Sequence, residues 1–183
     1  MTKCIQKDNM SFYMFFYAVP LWIAVLCGVV AIIGMAIIEL LISNTAVLKI
    51  IEIFVLLVTF VFVIYVTIIH RNVGENGNNC LIPFYSFYMA KQEVEVYRLI
   101  LLNILMFLPF GIVLPFLLNH FKQNVLFSIV FGSSLSLCIE IIQLVFRIGT
   151  FEIDDILFNT FGCLIGLLSF SLYKVINNKV LEK

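Results

Sequence analysis

The stretch LILLNILMFLPFGIVLPFLL, residues 99–118, decides the fold because it runs for twenty residues without a charged side chain. A helix rises about 1.5 Å per residue, so about 20 apolar residues cross the roughly 30 Å of hydrocarbon in a bilayer. Further apolar stretches of comparable length occupy residues 19–42, 48–69, 125–146 and 156–175. Each of these stretches predicts a transmembrane helix.

The composition excludes a soluble domain. Of the 183 residues, 63% are hydrophobic and 12% are charged, and the mean hydropathy is +1.13. Soluble domains have about 45–50% apolar and about 25% charged residues. The 11 basic and 11 acidic residues balance, so nothing indicates a nucleic-acid partner. We therefore predict an all-α integral membrane protein, a bundle of about five transmembrane helices.

The predicted spans divide the chain into three parts. Residues 1–18 include an aromatic-rich run. Because tyrosine is favoured at the membrane–water interface, these residues are predicted to form an interfacial segment. Residues 19–69 hold two spans without a motif, and residues 70–183 hold three spans with the motifs described below. Between the second and third spans, the apolar stretch 81–88 is too short to cross a bilayer, which predicts an interfacial or re-entrant loop. Lys and Arg divide six to five between the two faces, so the positive-inside rule does not set the orientation.

The fourth span carries a polar stripe. Its members are spaced by three or four residues and therefore fall on one helix face: Ser133, Ser136, Glu140, Gln143 and Arg147. A charged residue inside a membrane helix costs about 2.5–3.5 kcal/mol on insertion scales and is by default a hypothesis for a functional site. Glu140 is therefore the leading candidate for a functional group.

The fifth span continues this pattern. Asp155, Asn159, Gly162 and Gly166 are spaced by four, three and four residues and share one face. The two glycines form the small-residue pattern that lets membrane helices pack closely. Asp154 and Asp155 lie in the first turn, where a carboxylate suits the positive end of the helix dipole.

The third span contributes Asn103 near its start and, further along, Pro109, Gly111 and Pro115, which interrupt the backbone hydrogen-bond ladder. We expect a kink at the prolines and close helix packing at Gly111. If the spans alternate in direction, the starts of the third and fifth spans and the end of the fourth lie on one side of the membrane. A purely structural alternative pairs Arg147 with an aspartate of the fifth span as an ion pair that clamps the loop.

These motifs resemble, in order, the elements of VanZ-like proteins. Residues 79–84, Asn-Cys-Leu-Ile-Pro-Phe, are similar to that family's Asn-Leu-Ile-Pro-Phe element, although Cys80 is an extra residue. Asn103 with residues 107–111, Phe-Leu-Pro-Phe-Gly, resembles the second element, with Phe110 in place of a usually smaller aliphatic residue. The third element matches Glu140, Gln143, Arg147, Asp154, Asp155, Asn159, Gly162 and Gly166.

The resemblance implies an association with low-level resistance to lipophilic glycopeptide antibiotics such as teicoplanin, and with the Gram-positive cell envelope. It places the chain in the bacterial plasma membrane as a multi-pass protein, with residues 70–183 as its VanZ-like core. The leading hypothesis is a protein that binds or remodels a lipid-linked envelope precursor, a membrane lipid or the antibiotic itself. The candidate ligand-binding residues are Arg71, Asn79, Pro83, Phe84, Asn103, Gln143, Arg147, Asp154, Asp155 and Asn159.

Two other functions stay open at this point. An intramembrane enzyme acting on a lipid-linked substrate would use Glu140 as general acid or base, because burial would raise its pKa. No cofactor is predicted, and the five cysteines contain no C-x-x-C pair. A weaker alternative gives Mg²⁺ to Asp154 and Asp155 through oxygen ligands. A small oligomeric transporter or channel is the third function.

Overall fold

The structure, a computed structural model, describes residues 44–69, 79–91, 94–118 and 121–181, with isolated positions between 30 and 42. The predicted interfacial segment and most of the first predicted span lie outside the described residues. Arg71 also lies outside them. The described positions from 30 to 41 are helical, as the first predicted span requires.

The described chain is helical almost throughout. Its elements, in order, are α1 (Thr45–Ile64), a π-helical turn (Tyr65–Ile69) that continues α1, α2 (Tyr85–Ala90), α3 (Val94–Leu118), α4 (Phe121–Phe146) and α5 (Ile153–Leu181). Within the described residues, four segments are long and apolar enough to cross a membrane: Thr45–Ile69, Val96–Leu117, Leu126–Phe146 and Ile153–Ile176. The predicted all-α membrane bundle is confirmed, and α2 forms part of the loop between the second and third predicted spans.

Six hydroxyl side chains inside the described spans donate to backbone carbonyls of their own helices. The Oγ1 groups of Thr59, Thr67 and Thr160 each donate to the carbonyl four residues earlier, at 2.7–2.8 Å. Ser133, Ser169 and Ser171 donate in the same way, at 2.8–3.0 Å. Because lipid offers no competing hydrogen bonds, this local bonding lets a hydroxyl occupy a membrane helix.

α3 is the central helix of the described bundle. It packs against α1, α4 and α5. In its most apolar stretch, 56% of the residues are buried, compared with 11% in the corresponding stretch of the span formed by α1 and the π-helical turn. Phe107 and Phe110 of α3 form the core with Val63 of α1 and Ile139 of α4. The helix continues through Pro109 and Pro115 as one element.

Glycines bring α3 and α5 into backbone contact. A Cβ added to Gly111 would overlap the carbonyl oxygen of Cys163 on α5. One added to Gly162 would overlap the carbonyl oxygen of Ile104, and one added to Gly166 that of Leu108, both on α3. The small residues therefore set the distance between these two helices.

We predict that Gly162→Ala destabilises the bundle by about 1–3 kcal/mol, because the added methyl group must separate α3 from α5. Thermal unfolding of the purified protein in detergent would show a lowered midpoint. Gly34→Ala is the matched control, since no described atom lies within 4 Å of a Cβ at that position. Equal midpoints for the two variants would contradict the proposed close packing.

Candidate functional site

Polar side chains gather at one end of the bundle, where α1 and α4 end and where α3 and α5 begin. We call this group the polar cluster. Each member bonds to another member or to the backbone of a neighbouring segment. The members are Thr67, Asn79, Ser86, Asn103, Ser136, Glu140, Gln143, Asp154, Asp155 and Asn159. The structure thus brings residues of the loop and of four spans to one end, as alternation of the spans requires.

Asp154 ties α2 to the start of α5. It is only 3% exposed, and its Oδ1 accepts from the backbone N–H of Phe84 at 2.5 Å. Its Oδ2 accepts from the backbone N–H of Ser86 at 2.7 Å. The first N–H groups of a helix have no partner within the helix, so this carboxylate satisfies donors that would otherwise be buried unpaired.

The segment before α2 also bonds to the connection between α4 and α5. The backbone N–H of Cys80 donates to the carbonyl of Phe151 at 2.8 Å, and that of Ile153 donates to the carbonyl of Cys80 at 3.1 Å. Oδ1 of Asn79 accepts from the N–H of Phe151 at 3.3 Å. Cys80 makes both of its bonds to this connection through its backbone.

Glu140 and Asn159 lie deeper in the cluster. Glu140 is 1% exposed, and its Oε2 accepts from the backbone N–H of Glu152, just before α5, at 2.9 Å. Nδ2 of Asn159 donates to Oγ of Ser136 at 2.8 Å. Near the start of α3, Nδ2 of Asn103 donates to Oδ1 of Asp155 at 2.6 Å. Each polar residue of α5 named here is therefore bonded to a neighbouring element.

The π-helical turn connects α1 to this cluster. Nε2 of Gln143 donates to the backbone carbonyl of Thr67 at 2.9 Å. A π-helical turn displaces carbonyls from the regular α-helical ladder, and such turns often occur at functional sites. Thr67 was missed at the level of sequence because a backbone carbonyl has no residue-type signal.

Two non-glycine residues at this end have positive φ. Arg147 has φ 54°, and the N–H of Ile148 donates to the carbonyl of Gln143 at 3.0 Å while that of Arg147 donates to Leu144 at 3.4 Å. This is the helix ending that usually has glycine at the position of Arg147. Phe84, with φ 62°, precedes α2. Backbone strain at non-glycine residues tends to occur at functional sites.

An exposed apolar surface borders the cluster. It consists of the residues we call the aromatic lip: Leu81, Ile82, Pro83, Phe84, Phe87 and Tyr88. Phe84 is 58% exposed and stacks on Phe87, with ring centroids 6.3 Å apart. Phe87 in turn meets Phe158 of α5 edge-on at 5.3 Å. Exposed aromatic side chains at the end of a span suit the membrane interface.

Comparison with known proteins agrees with these motifs. The model of the VanZ/LLP1 family matches residues 48–174. The chain belongs to the VanZ/LLP1 family.

A curated relative, Protein VanZ of Enterococcus faecium, is 38% identical over 82 residues, which cover 44% of this chain and 50% of that protein. The chain thus spans about half the length of the relative it matches. No solved structure matches the chain. The resemblance inferred from the ordered motifs is confirmed.

The ion-pair interpretation of this VanZ/LLP1 chain is wrong for Asp154. Both oxygens of Asp154 accept backbone N–H groups, and the exposed guanidinium of Arg147 makes no hydrogen bond or ion pair with a described residue. Among the residues that the structure describes, no three His, Cys, Asp or Glu side chains are grouped to hold a metal ion. Asp154 therefore serves as a cap for α2.

Sequence reasoning also missed Glu52, which is buried in α1. It lies about 22 Å along the helix axis from Thr67, and so belongs to the other half of the bundle. A carboxyl group within a predicted span is the signal that could have found it.

We predict that Asp154→Asn loosens α2. The asparagine keeps one acceptor oxygen but places an NH₂ group against the second backbone N–H, so one hydrogen bond is lost. A hydrogen bond to a charged acceptor contributes about 1.5–3 kcal/mol. Hydrogen exchange measured by mass spectrometry would speed up across residues 81–91. Lys91→Gln, which removes an exposed charge from the same segment, should leave exchange unchanged. Unchanged exchange in Asp154→Asn would show that the cap is dispensable.

We predict that Arg147→Gly stabilises the fold by about 1 kcal/mol, because glycine adopts a positive φ without the steric cost that other residues incur there. The thermal midpoint in detergent should rise. Arg147→Lys keeps both the Cβ and the charge and should match the wild type. A lower midpoint for Arg147→Gly would mean that the arginine side chain supports the fold.

Proposed function

We propose that this VanZ/LLP1 chain binds a lipid-linked ligand of the bacterial cell envelope at the polar cluster. Binding there would contribute to tolerance of lipophilic glycopeptides such as teicoplanin. One observation carries the proposal: a buried set of acidic and amide side chains, centred on Glu140 and Gln143, adjoins an exposed aromatic lip.

The two surfaces match the two parts of a lipid-linked molecule. An acyl or polyprenyl chain would pack against the lip, where Phe84 and Tyr88 are exposed. The polar head would meet the cluster at the same end of the bundle. The exposed guanidinium of Arg147 could bind a phosphate or carboxylate through two parallel hydrogen bonds.

The energetics favour a functional origin for this cluster. Burying charged side chains costs several kcal/mol per ion, and well-packed apolar residues of similar volume often stabilise a protein as much or more. Arg147 adds backbone strain at a position that glycine would occupy without it. Because these unfavourable residues lie together at one end of the bundle, they support a role of the polar cluster in binding.

The link to glycopeptides rests on the family. The relative in Enterococcus faecium is Protein VanZ, and the motifs resemble those of proteins associated with teicoplanin resistance. Because the match covers half of that relative, its activity enters here only as part of the proposal. The proposal also includes a location in the plasma membrane of a Gram-positive cell; the four described spans support a membrane location.

We predict that the chain, expressed in a teicoplanin-susceptible Gram-positive host, raises the inhibitory concentration of teicoplanin more than that of vancomycin. Glu140→Gln should abolish this rise. The glutamine can still accept the hydrogen bond from Glu152 but carries no charge, so the variant tests the charge with little change in shape. Immunoblots of membranes would establish equal amounts of the two proteins.

Ser133→Ala is the matched control on the same helix, because its hydroxyl bonds to the backbone of α4. It should keep wild-type tolerance. Arg147→Gly adds a second test, since a variant at least as stable as the wild type that loses tolerance identifies a binding role. Tolerance that is unchanged in both Glu140→Gln and Arg147→Gly would refute the site. Turnover of envelope lipids that depends on Glu140 would instead favour the enzyme.

A further inference from the structure

Two buried oxygen atoms in the polar cluster lack a hydrogen-bond donor. They are Oε1 of Gln143 and Oδ1 of Asn159, and neither has a partner in the described part of the chain. The two residues are 1% and 4% exposed. Leaving a buried acceptor unsatisfied costs about 1–3 kcal/mol, and most such groups in folded proteins are paired.

The orientation of Gln143 makes its oxygen an acceptor. Its Nε2 donates to the carbonyl of Thr67, which cannot itself donate, so Oε1 must be the other atom of the amide. Ser136, the partner of Asn159, can both donate and accept. The hydrogen bonds therefore identify the unpaired atom as an oxygen for Gln143, whereas for Asn159 they do not distinguish oxygen from nitrogen.

Both oxygens belong to the same part of the bundle. Gln143 lies one turn from Glu140 on α4, and Asn159 of α5 bonds to Ser136, one turn further along that helix. The carboxylates of Glu140 and Asp154 are also buried there, whereas Arg147 is exposed. Of two further described cations at this end, Lys91 is exposed and Arg98 is half-buried. The buried interior of the cluster thus presents mainly hydrogen-bond acceptors.

We propose that the polar cluster recognises the head group of its ligand through hydrogen-bond donors carried by that head group. This inference rests on the proposed function and names the chemistry of its ligand. A primary ammonium or a hydroxyl group donates to Oε1 of Gln143 or to Oδ1 of Asn159. Because both oxygens are buried, the donor must sit on a slender group, so a trimethylammonium, which is bulky and has no N–H, is rejected.

Three phospholipids with identical acyl chains test this directly. Phosphatidylethanolamine offers N–H donors, phosphatidylglycerol offers O–H donors, and phosphatidylcholine offers neither, while all three contain the phosphate. Titrations of the purified full-length chain, followed by native mass spectrometry, would give the three affinities. We expect at least one donor-bearing lipid to bind about tenfold more tightly than phosphatidylcholine, in line with the cost of an unpaired acceptor. The better of the two identifies the donor as ammonium or hydroxyl.

Variants assign the preference to these atoms. Gln143→Leu removes the open acceptor and should reduce the preference to near unity. Asn159→Leu removes the second open acceptor and should also lower the preference, which covers the case in which Gln143→Leu folds poorly. Ser128→Ala is the control, because Ser128 is likewise buried without a partner among the described residues but lies about 18 Å along α4 from Glu140.

Equal binding of the three lipids by the wild type would overturn the inference, since water would then satisfy the acceptors. A preference that persists in Gln143→Leu would overturn it as well. Neither result touches the proposed function if Glu140→Gln abolishes teicoplanin tolerance. Conversely, a donor preference together with unchanged tolerance in both Glu140→Gln and Arg147→Gly would refute the proposed function and leave the head-group selectivity in place.

Discussion

The carboxylate of Asp154 accepts two backbone N–H groups at the start of α2, and much of the polar end depends on these bonds. In a membrane, irregular backbone is tolerated only where protein groups or water satisfy it. The segment before α2 is irregular. Asp154 and the carbonyl of Phe151 accept backbone N–H groups from it, and the side chain of its own Asn79 accepts from the N–H of Phe151. Because Asp154 lies in the first turn of α5, it joins the short helix to a membrane span, so that the aromatic lip borders the polar cluster.

The rest of the bundle makes this arrangement rigid. Glycine contacts set the distance between α3 and α5, while Phe107 and Phe110 fill the core that α3 shares with α1 and α4. The bond from Gln143 to the carbonyl of Thr67 adds α1, whose span has no motif, to the cluster. A buried amide held in one orientation can discriminate between ligands, because rotation would lose an existing hydrogen bond.

The polar end combines buried polar side chains with residues of positive φ. Glu140 and Gln143 are almost fully buried, Arg147 adopts a left-handed conformation, and Phe84 does so while exposing its ring. Each is unfavourable for folding by itself, and together they bring buried acceptors, an exposed cation and an apolar surface to one membrane face. A ligand with a polar head and an apolar chain would contact all three.

The sequence by itself determined the class of fold, because apolar stretches of membrane-crossing length have no other stable solvent. Residue spacing also determined that Glu140 and Gln143 share one face, since helical periodicity is a local property. Only the tertiary structure decided the partners: Asp154 caps α2 instead of pairing with Arg147, and Thr67 contributes a backbone carbonyl. Such contacts join residues about 70 positions apart and depend on helix rotation and on which backbone groups remain unpaired, and neither is encoded in residue type or spacing.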